Sequence, residues 1–386
     1  MPRPSQIRVV QFLNGTVRAG AEEVAWELAR GLDPSRFRSY LVCPQSLLQA
    51  FRGDWNGTPV TGFPLTLESP WQWTAARRFL AFLRSERIDV VHAHMIRAAT
   101  AAVPLARLAG VPVVVQTCHG REAWRHGWKE NYWLDRRIAG WSNATVAVSE
   151  STGAYLVEEK KLDPLKVKVI RNGRKLNGFH PDPARQKQSR AQLGITSDQM
   201  VIGLFGRLEE QKGHRFLIEA LPSILAAVGP AKVLFVGDGA LRQQLQQQVL
   251  SAGLGDCVVF TGYRGDSMDL MAMCDLVVLP SLYEGMPLVP IEAATLEKAV
   301  VATAVDGTRE VIVDGLTGRL VPPGQPEALA QVISELLLDR DRRQVIGQRA
   351  KARARELFSL QRQLDDTAVL YEDLLARSYQ EPNSGR

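Results

Sequence analysis

The sequence predicts an α/β protein made of two Rossmann-like domains. Short apolar runs alternate with amphipathic, helix-like segments from end to end, the pattern of parallel sheets covered by helices. The strand–loop–helix opening at Ile7–Gly31 restarts at Val201. A chain of 386 residues also exceeds what one typical hydrophobic core supports. Composition is that of a globular protein, 45% hydrophobic and 23% charged.

In order, the strand-like run Ile7–Leu13 meets a glycine-bearing loop, Asn14–Gly20, and then a helix over Ala21–Gly31. Polar residues then recur at the carboxyl ends of apolar runs. His92 and His94 follow Val90-Val91, His119 and Gly120 follow Val113–Gln116, and Ser149 follows Thr145–Val148. In the second half Arg207 follows Val201–Phe205, Gly237 follows Val233–Val236, and Tyr263 follows Val258–Phe260. Open α/β sheets bind ligands outside the carboxyl ends of their strands, so two such rims are expected to face each other across a cleft. His92 and His94 are expected on opposite faces of their strand, in structural roles. The boundaries read as a first domain over 1–176, a proline-bearing linker over 177–197, a second domain over 198–359, and one long helix over 360–379. The stretch Trp71–Arg87 reads as a helix packing Trp73, Ala76, Leu80 and Leu83 on a sheet.

The strongest site signal lies at Leu279–Ala294. The buried run Leu276–Leu279 stops at Pro280, and Pro287 opens a helix, where proline is tolerated because first-turn amides lack intrahelical partners. Backbone amides at Gly285, Met286 and Leu288, with the positive end of the helix dipole, suit an anion. Glu284 and Glu292 bracket that cradle. A carboxylate accepts two hydrogen bonds and suits a vicinal diol, so an anion cradle between two carboxylates matches a nucleotide sugar.

Arg207 and Lys212 sit in a second strand-to-helix loop that begins at Gly206. Arg offers a bidentate fork to phosphate oxygens and Lys a compact charge, so the two could hold a diphosphate. Gly237-Asp238-Gly239 lacks the full G-x-G-x-x-G spacing and reads as loop-shaping. Tyr263 and Arg264 are candidates for contacting a nucleotide base. The one Asp-x-Asp, Asp339-Arg340-Asp341, reads as a solvated helix end, so no metal site and no cofactor is expected.

Residues 1–180 hold 25 Lys and Arg against 15 Asp and Glu, a net +10, while residues 181–386 carry a net −4. The basic half suits an acidic partner. Arg121, Arg125, Lys129, Arg136 and Arg137 are interleaved with Trp124, Trp128, Trp133 and Trp141. That mixture fits an anionic membrane surface, and equally a sugar ring to stack on. Cys43, Cys118, Cys257 and Cys274 form no C-x-x-C pair, which argues against a zinc site or a disulfide scaffold. No run of about eighteen apolar residues occurs, and no signal-peptide core precedes Ile7. A cytoplasmic location is expected, with peripheral docking on the inner face of the cell membrane as an option for the basic half.

Glu284, seven residues, then Glu292 resembles the E-x7-E signature of glycosyltransferase family 4, retaining enzymes of the GT-B fold. The resemblance extends through Pro280-Ser281, Val301-Ala302-Thr303 and Gly307–Glu310, and covers nearly the whole chain. It implies that the long C-terminal helix returns to the first domain. Arg18-Ala19-Gly20-Ala21-Glu22 is similar to the family's Gly-Gly-x-Glu loop, whose backbone approaches the donor phosphates, with Ala19 in place of the first glycine. Alanine is poor at positive φ, so a different loop shape is expected. His119 resembles the family histidine beside the donor sugar. Asn172-Gly173 resembles the Asn-Gly-x-Asp turn, with Lys175 replacing the acid.

The expected donor set is Gly20, Gly206, Arg207, Lys212, Tyr263, Arg264, Glu284, Gly285, Met286, Pro287, Leu288 and Glu292. His119, Arg207, Lys212 and Glu284 are expected at the reacting centre. The implied activity is metal-independent, retaining transfer of a hexose from a nucleoside diphosphate sugar, uridine-linked in preference to guanosine-linked. The acceptor would be a carbohydrate or lipid-linked hydroxyl in cell-envelope synthesis, and nucleic acid is not a partner. Ala19 and Lys175 keep open a nucleotide-sugar-binding scaffold without turnover, and a GT-B epimerase, which needs no acceptor, is a second alternative.

Overall fold

The computed structural model describes residues 6–55, 57–121 and 132–380. The chain divides into two compact units, Met1–Asn172 with Leu360–Arg386, and Gly173–Ser359.

The first unit carries a seven-stranded parallel sheet in the order β3-β2-β1-β4-β5-β6-β7. Its strands are β1 (Ile7–Phe12), β2 (Phe37–Cys43), β3 (Val60–Pro64), β4 (Val90–His94), β5 (Val113–Cys118), β6 (Ala144–Ala147) and β7 (Val167–Val169). The second unit carries a six-stranded parallel sheet, β10-β9-β8-β11-β12-β13. Those strands are β8 (Met200–Phe205), β9 (Ala231–Val236), β10 (Val258–Gly262), β11 (Leu276–Leu279), β12 (Val300–Thr303) and β13 (Arg319–Val321). Each sheet contains the doubly wound order 3-2-1-4-5-6, the first with β7 added at one edge. The order reverses beside β1 and β4 in one unit, and beside β8 and β11 in the other. Crevices open at the carboxyl ends of such strand pairs, so the topology selects where ligands go.

Central strands covered on both faces must be apolar on both. β8 buries Val201, Ile202, Leu204 and Phe205, and β11 buries all four of its residues. Their core includes Leu221, Ile224, Phe235, Ile333 and Leu336. In the first unit β4 and β5 are buried throughout, yet include His92, His94, Gln116 and Thr117. Buried polar groups need partners, so these positions announce hydrogen bonding inside the sheet.

The helix Leu360–Gln380 belongs to the first unit, as the resemblance implies. Leu364, Ala368, Tyr371 and Leu375 recur at four-three-four spacing and are buried. Burial of Leu364 and Leu375 stabilises this docking by about 1.5–3 kcal/mol each. Gly31 leaves room for Leu364: a Cβ there would lie 2.7 Å from Leu364 Cδ1, so a larger residue would force the Leu364 side chain to shift.

Three expectations are corrected. The stretch 177–197 is not a bare linker, because Pro183–Gln192 is a helix of the second unit. Asp182 caps it by accepting from Ala184 N at 2.9 Å, and Pro183 occupies the first turn, where a missing N–H costs nothing. The prolines mark a helix start; the chain passes between units at Asn172–Gly173 and Ser359–Leu360. In the helix Trp73–Ser85 the buried stripe is Ala76, Phe79, Phe82 and Leu83, while Trp73, in the first turn, stays 68% exposed beside the exposed Trp71. Asp339 caps the helix Arg340–Leu357 by accepting from Arg342 N at 2.9 Å, so the Asp-x-Asp is a helix start. Among the described residues no group of three or more His, Cys, Asp or Glu could hold a metal ion, and no helix is long and apolar enough to cross a membrane.

Candidate active site

In the second unit the loops after β8 and β11 meet at the reversal of strand order. Gly213 makes the approach possible. It adopts φ +66°, and a Cβ there would lie 2.0 Å from the Pro280 carbonyl oxygen. Leu282 N donates to Gln211 O at 2.8 Å, and Gln211 Nε2 donates to Tyr283 O at 3.0 Å. The approach brings Lys212 Nζ to 2.6 Å from Glu284 Oε1, with both side chains largely buried. Ser281 Oγ donates to the same oxygen at 2.7 Å, and Glu284 N donates to Asp306 Oδ2 at 3.2 Å. A buried ion pair is costly to leave half-made, so the carboxylate and ammonium hold each other.

Arg207 stands apart from that pair. Half exposed, it bonds Glu209 at 2.7 Å, an exposed pair worth little, so its fork can be recruited. Gly206 lies along the Lys212 stem. Gly237 and Gly239 abut the backbone of Gly206 and Leu208 with no room for a Cβ, which accounts for Gly-Asp-Gly as loop-shaping. Tyr263 is exposed, whereas the Arg264 fork is engaged by Asp266 at 2.5 and 2.6 Å.

The helix Leu288–Thr295 begins after Pro287, as expected, with Gly285 and Met286 leading into it. Glu292, one turn in, is bonded at 2.7 Å by Arg174. Sequence reasoning missed Arg174, which occupies the variable position of the Asn-Gly-x-Asp-like turn. Its neighbour Lys175, where the acid was expected, is exposed. The remaining signal was Arg174 itself, a second cation in that short turn.

In the first unit Gly20 starts the helix Gly20–Gly31. Ala19 is extended, at φ −143° and ψ −172°, so this loop requires no positive φ there and alanine fits without strain. The expected opposition of His92 and His94 is wrong, because residues two apart on a strand share a face. Both are buried and their rings stack at 4.4 Å. His94 Nδ1 lies 3.1 Å from His119 Nε2, and His94 Nε2 2.8 Å from Gln11 Oε1. His92 meets the Tyr371 hydroxyl and Thr117 Oγ1, each at 2.5 Å. Burial pushes His119 down to about 4 and His92 to about 3, and holds His94 well below its ordinary value. Gln11 and Tyr371 were not singled out from the sequence, although a glutamine inside the buried run Val9-Val10-Gln11-Phe12 is itself a signal.

Of the basic surface set, Arg121 pairs with Glu159 at 2.6 Å, Arg136 is exposed and donates to Lys160 O at 3.4 Å, and Arg137 stacks on Trp141 at 5.3 Å. Arg125 and Lys129, with Trp124 and Trp128, lie outside the described residues.

Two doubly wound sheets, each with polar residues at its reversal point, and the paired glutamates at the second define a two-domain α/β protein of GT-B type. The family model Glycosyltransferase Family 4 matches residues 18–177, and Glycosyl transferases group 1 matches residues 185–353. The protein described as putative glycosyltransferase EpsF of Bacillus subtilis is 30% identical over 303 residues, spanning 75% of this chain and 77% of EpsF. The UDP-Gal:alpha-D-GlcNAc-diphosphoundecaprenol alpha-1,3-galactosyltransferase of Escherichia coli is 27% identical over 304 residues, spanning 76% and 77%. The crystal structure of Anabaena Alr3699/HepE in complex with UDP and glucose superposes with a TM-score of 0.84 at 24% identity, over 95% of this chain and all of that one, a likeness of fold. The chain belongs to glycosyltransferase family 4 and is a glycosyltransferase of the GT-B fold.

Proposed function

We propose that the protein transfers a hexose from a nucleoside diphosphate sugar to a hydroxyl acceptor, with retention at the anomeric carbon. The observation that carries the reading is the Lys212–Glu284 pair, set at the carboxyl ends of β8 and β11. A diphosphate can take Lys212 Nζ from Glu284, leaving the Glu284 carboxylate to accept hydrogen bonds from sugar hydroxyls. Arg207 adds a recruitable second cation, and Glu292 suits the ribose diol once it shares its carboxylate with Arg174.

Charge on the leaving diphosphate is then met by Arg207, Lys212 and the amides leading into the helix Leu288–Thr295, without a metal. The C1–phosphate oxygen bond breaks as the acceptor oxygen bonds C1 from the same face. The acceptor proton passes to an oxygen of the departing phosphate. Front-face substitution suits a site in which the available carboxylates are engaged with cations.

Uridine is the favoured base, supported by the UDP-Gal donor named for the Escherichia coli relative and by the UDP complex of HepE. The former relative's diphosphoundecaprenol acceptor supports a lipid-linked acceptor, and Arg136, Arg137, Trp133 and Trp141 supply a basic, aromatic surface for an anionic membrane. A calorimetric screen of UDP- and GDP-sugars tests the donor, followed by product analysis with the tightest one. Release of an altered nucleotide sugar without any acceptor would identify an epimerase. Inverted product stereochemistry would overturn retention.

A further inference from the structure

In the first unit six polar side chains form one hydrogen-bond chain, and the orientation of the Gln11 amide sets its direction. Gln11 turns its amide oxygen to His94 Nε2 at 2.8 Å and its Nε2 to the Tyr371 hydroxyl at 3.1 Å. An amide oxygen only accepts, so the His94 proton lies on Nε2 and its Nδ1 is a lone pair. That lone pair faces His119 Nε2 at 3.1 Å, so His119 must donate from Nε2. In the other direction, Gln11 Nε2 donates to the Tyr371 oxygen. The Tyr371 O–H is then aimed at His92 Nδ1, and His92 Nε2 donates to Thr117 Oγ1. At every link a donor faces an acceptor. Burial of the three imidazoles disfavours their charged forms, so each carries a single ring proton at neutral pH.

We propose that Tyr371 and Gln11 are positioning residues that hold the His119 proton on Nε2, so that His119 Nδ1 presents a fixed acceptor, at the carboxyl end of β5, to a hydroxyl of a ligand. The hydrogen bond that His119 makes among the described residues uses Nε2 and leaves Nδ1 without a partner there, and the residue as a whole is half-buried. A lone pair there accepts from a neutral hydroxyl and repels a phosphate or carboxylate oxygen, which has no proton to offer. The chain reversed, with Gln11 turned over, would make Nδ1 a donor and invert that preference. The C-terminal helix therefore takes part in ligand recognition through Tyr371, by way of Gln11 and His94. The inference rests on the nucleotide-sugar reading for its ligand, but not for its tautomer.

Long-range proton–nitrogen NMR on the full chain, labelled with nitrogen-15 histidine, reads the tautomer directly. Six histidines give a countable spectrum, and the His119 signals are those lost in His119→Gln. At pH 7 the wild type should show His119 as one neutral form protonated at Nε2. Tyr371→Phe, which removes only the hydroxyl, should convert it to a mixture while melting cooperatively. Gln11→Met should do the same from the other link. A wild-type His119 protonated at Nδ1, or mixed, overturns the proposal, as does an unchanged tautomer in both folded variants. UDP-glucose should then shift the Nδ1 resonance where UDP does not; binding of UDP-glucose with no shift overturns the hydroxyl contact. Failure of the nucleotide-sugar reading shows separately, as absence of calorimetric binding by UDP and UDP-glucose, and leaves the tautomer result standing.

Discussion

Removing Lys212 should destabilise the second unit as well as disable it, and the two effects can be separated. In Lys212→Met the Glu284 carboxylate keeps the Ser281 hydroxyl at 2.7 Å but loses the ammonium at 2.6 Å. Stranding one member of a buried pair costs about 3–5 kcal/mol, and Lys212, 16% exposed, belongs at the lower end, about 3 kcal/mol. For a unit of this size about 1 kcal/mol moves the midpoint by about 2–4 °C, so its melting transition should fall by about 6–12 °C. Adding Glu284→Gln removes the stranded charge while keeping an acceptor for Ser281. The double variant should regain most of the loss, with a coupling energy of about 2 kcal/mol. Transfer activity should stay absent in both, because the diphosphate cation is missing in each. Scanning calorimetry and a transfer assay on the four members of the cycle decide it. A single variant melting within about 2 °C of wild type, or a double variant no more stable than the singles, would refute the stranded-charge argument.

Three further outcomes are expected. His92 and His94 are neutral when folded and titrate near 6.5 when unfolded, so the unfolded chain binds more protons as pH falls below 6.5. With His119, held down to about 4 in the same unit, the three together should remove about 3 kcal/mol from the first unit between pH 6.5 and 5.5, and His94→Gln should cut that slope by about a third in pH-dependent calorimetry. Arg174→Met should leave Glu292 without its guanidinium, and calorimetry should find UDP affinity changed by about tenfold while UDP-glucose discrimination over UDP is kept, since Glu292 serves the ribose and Glu284 the sugar. Flotation with anionic vesicles should recover the protein in low salt, lose it at high salt, and fail for Arg136→Glu with Arg137→Glu; equal recovery on neutral vesicles would remove the membrane from the account.

The rim of the second unit was legible because its chemistry is local. Apolar runs end abruptly at Phe205 and Leu279; of the residues that follow, Gly206–Gly213 carries turn formers and two cations, and Pro280–Pro287 carries turn formers and one carboxylate. Strand order then brings those loops together, since β8 and β11 are neighbours in a doubly wound sheet. The meeting of Lys212 with Glu284 follows from topology, yet the sequence assigned them separate duties, because an ion pair across 72 positions has no local signature. Arg174 on Glu292 was hidden for the same reason.

The first unit shows what a sequence can declare without naming. A strand buried on both faces has no solvent to satisfy a polar side chain, so Gln11, His92, His94 and Thr117 each imply a polar partner held within the fold. Period-two alternation already puts His92 and His94 on one face, and β4 lies between β1 and β5, the strands of Gln11 and Thr117. Four members of the hydrogen-bond chain were therefore derivable from strand order alone. Tyr371 was not, because it arrives from a helix 360 positions away, on a stripe whose period calls for any large apolar residue. A phenylalanine would satisfy that stripe equally well. The hydroxyl is the one atom the packing does not require, and it is the atom that joins Gln11 to His92, which is why Tyr371→Phe separates the role of the side chain in the core from its role in the chain of protons.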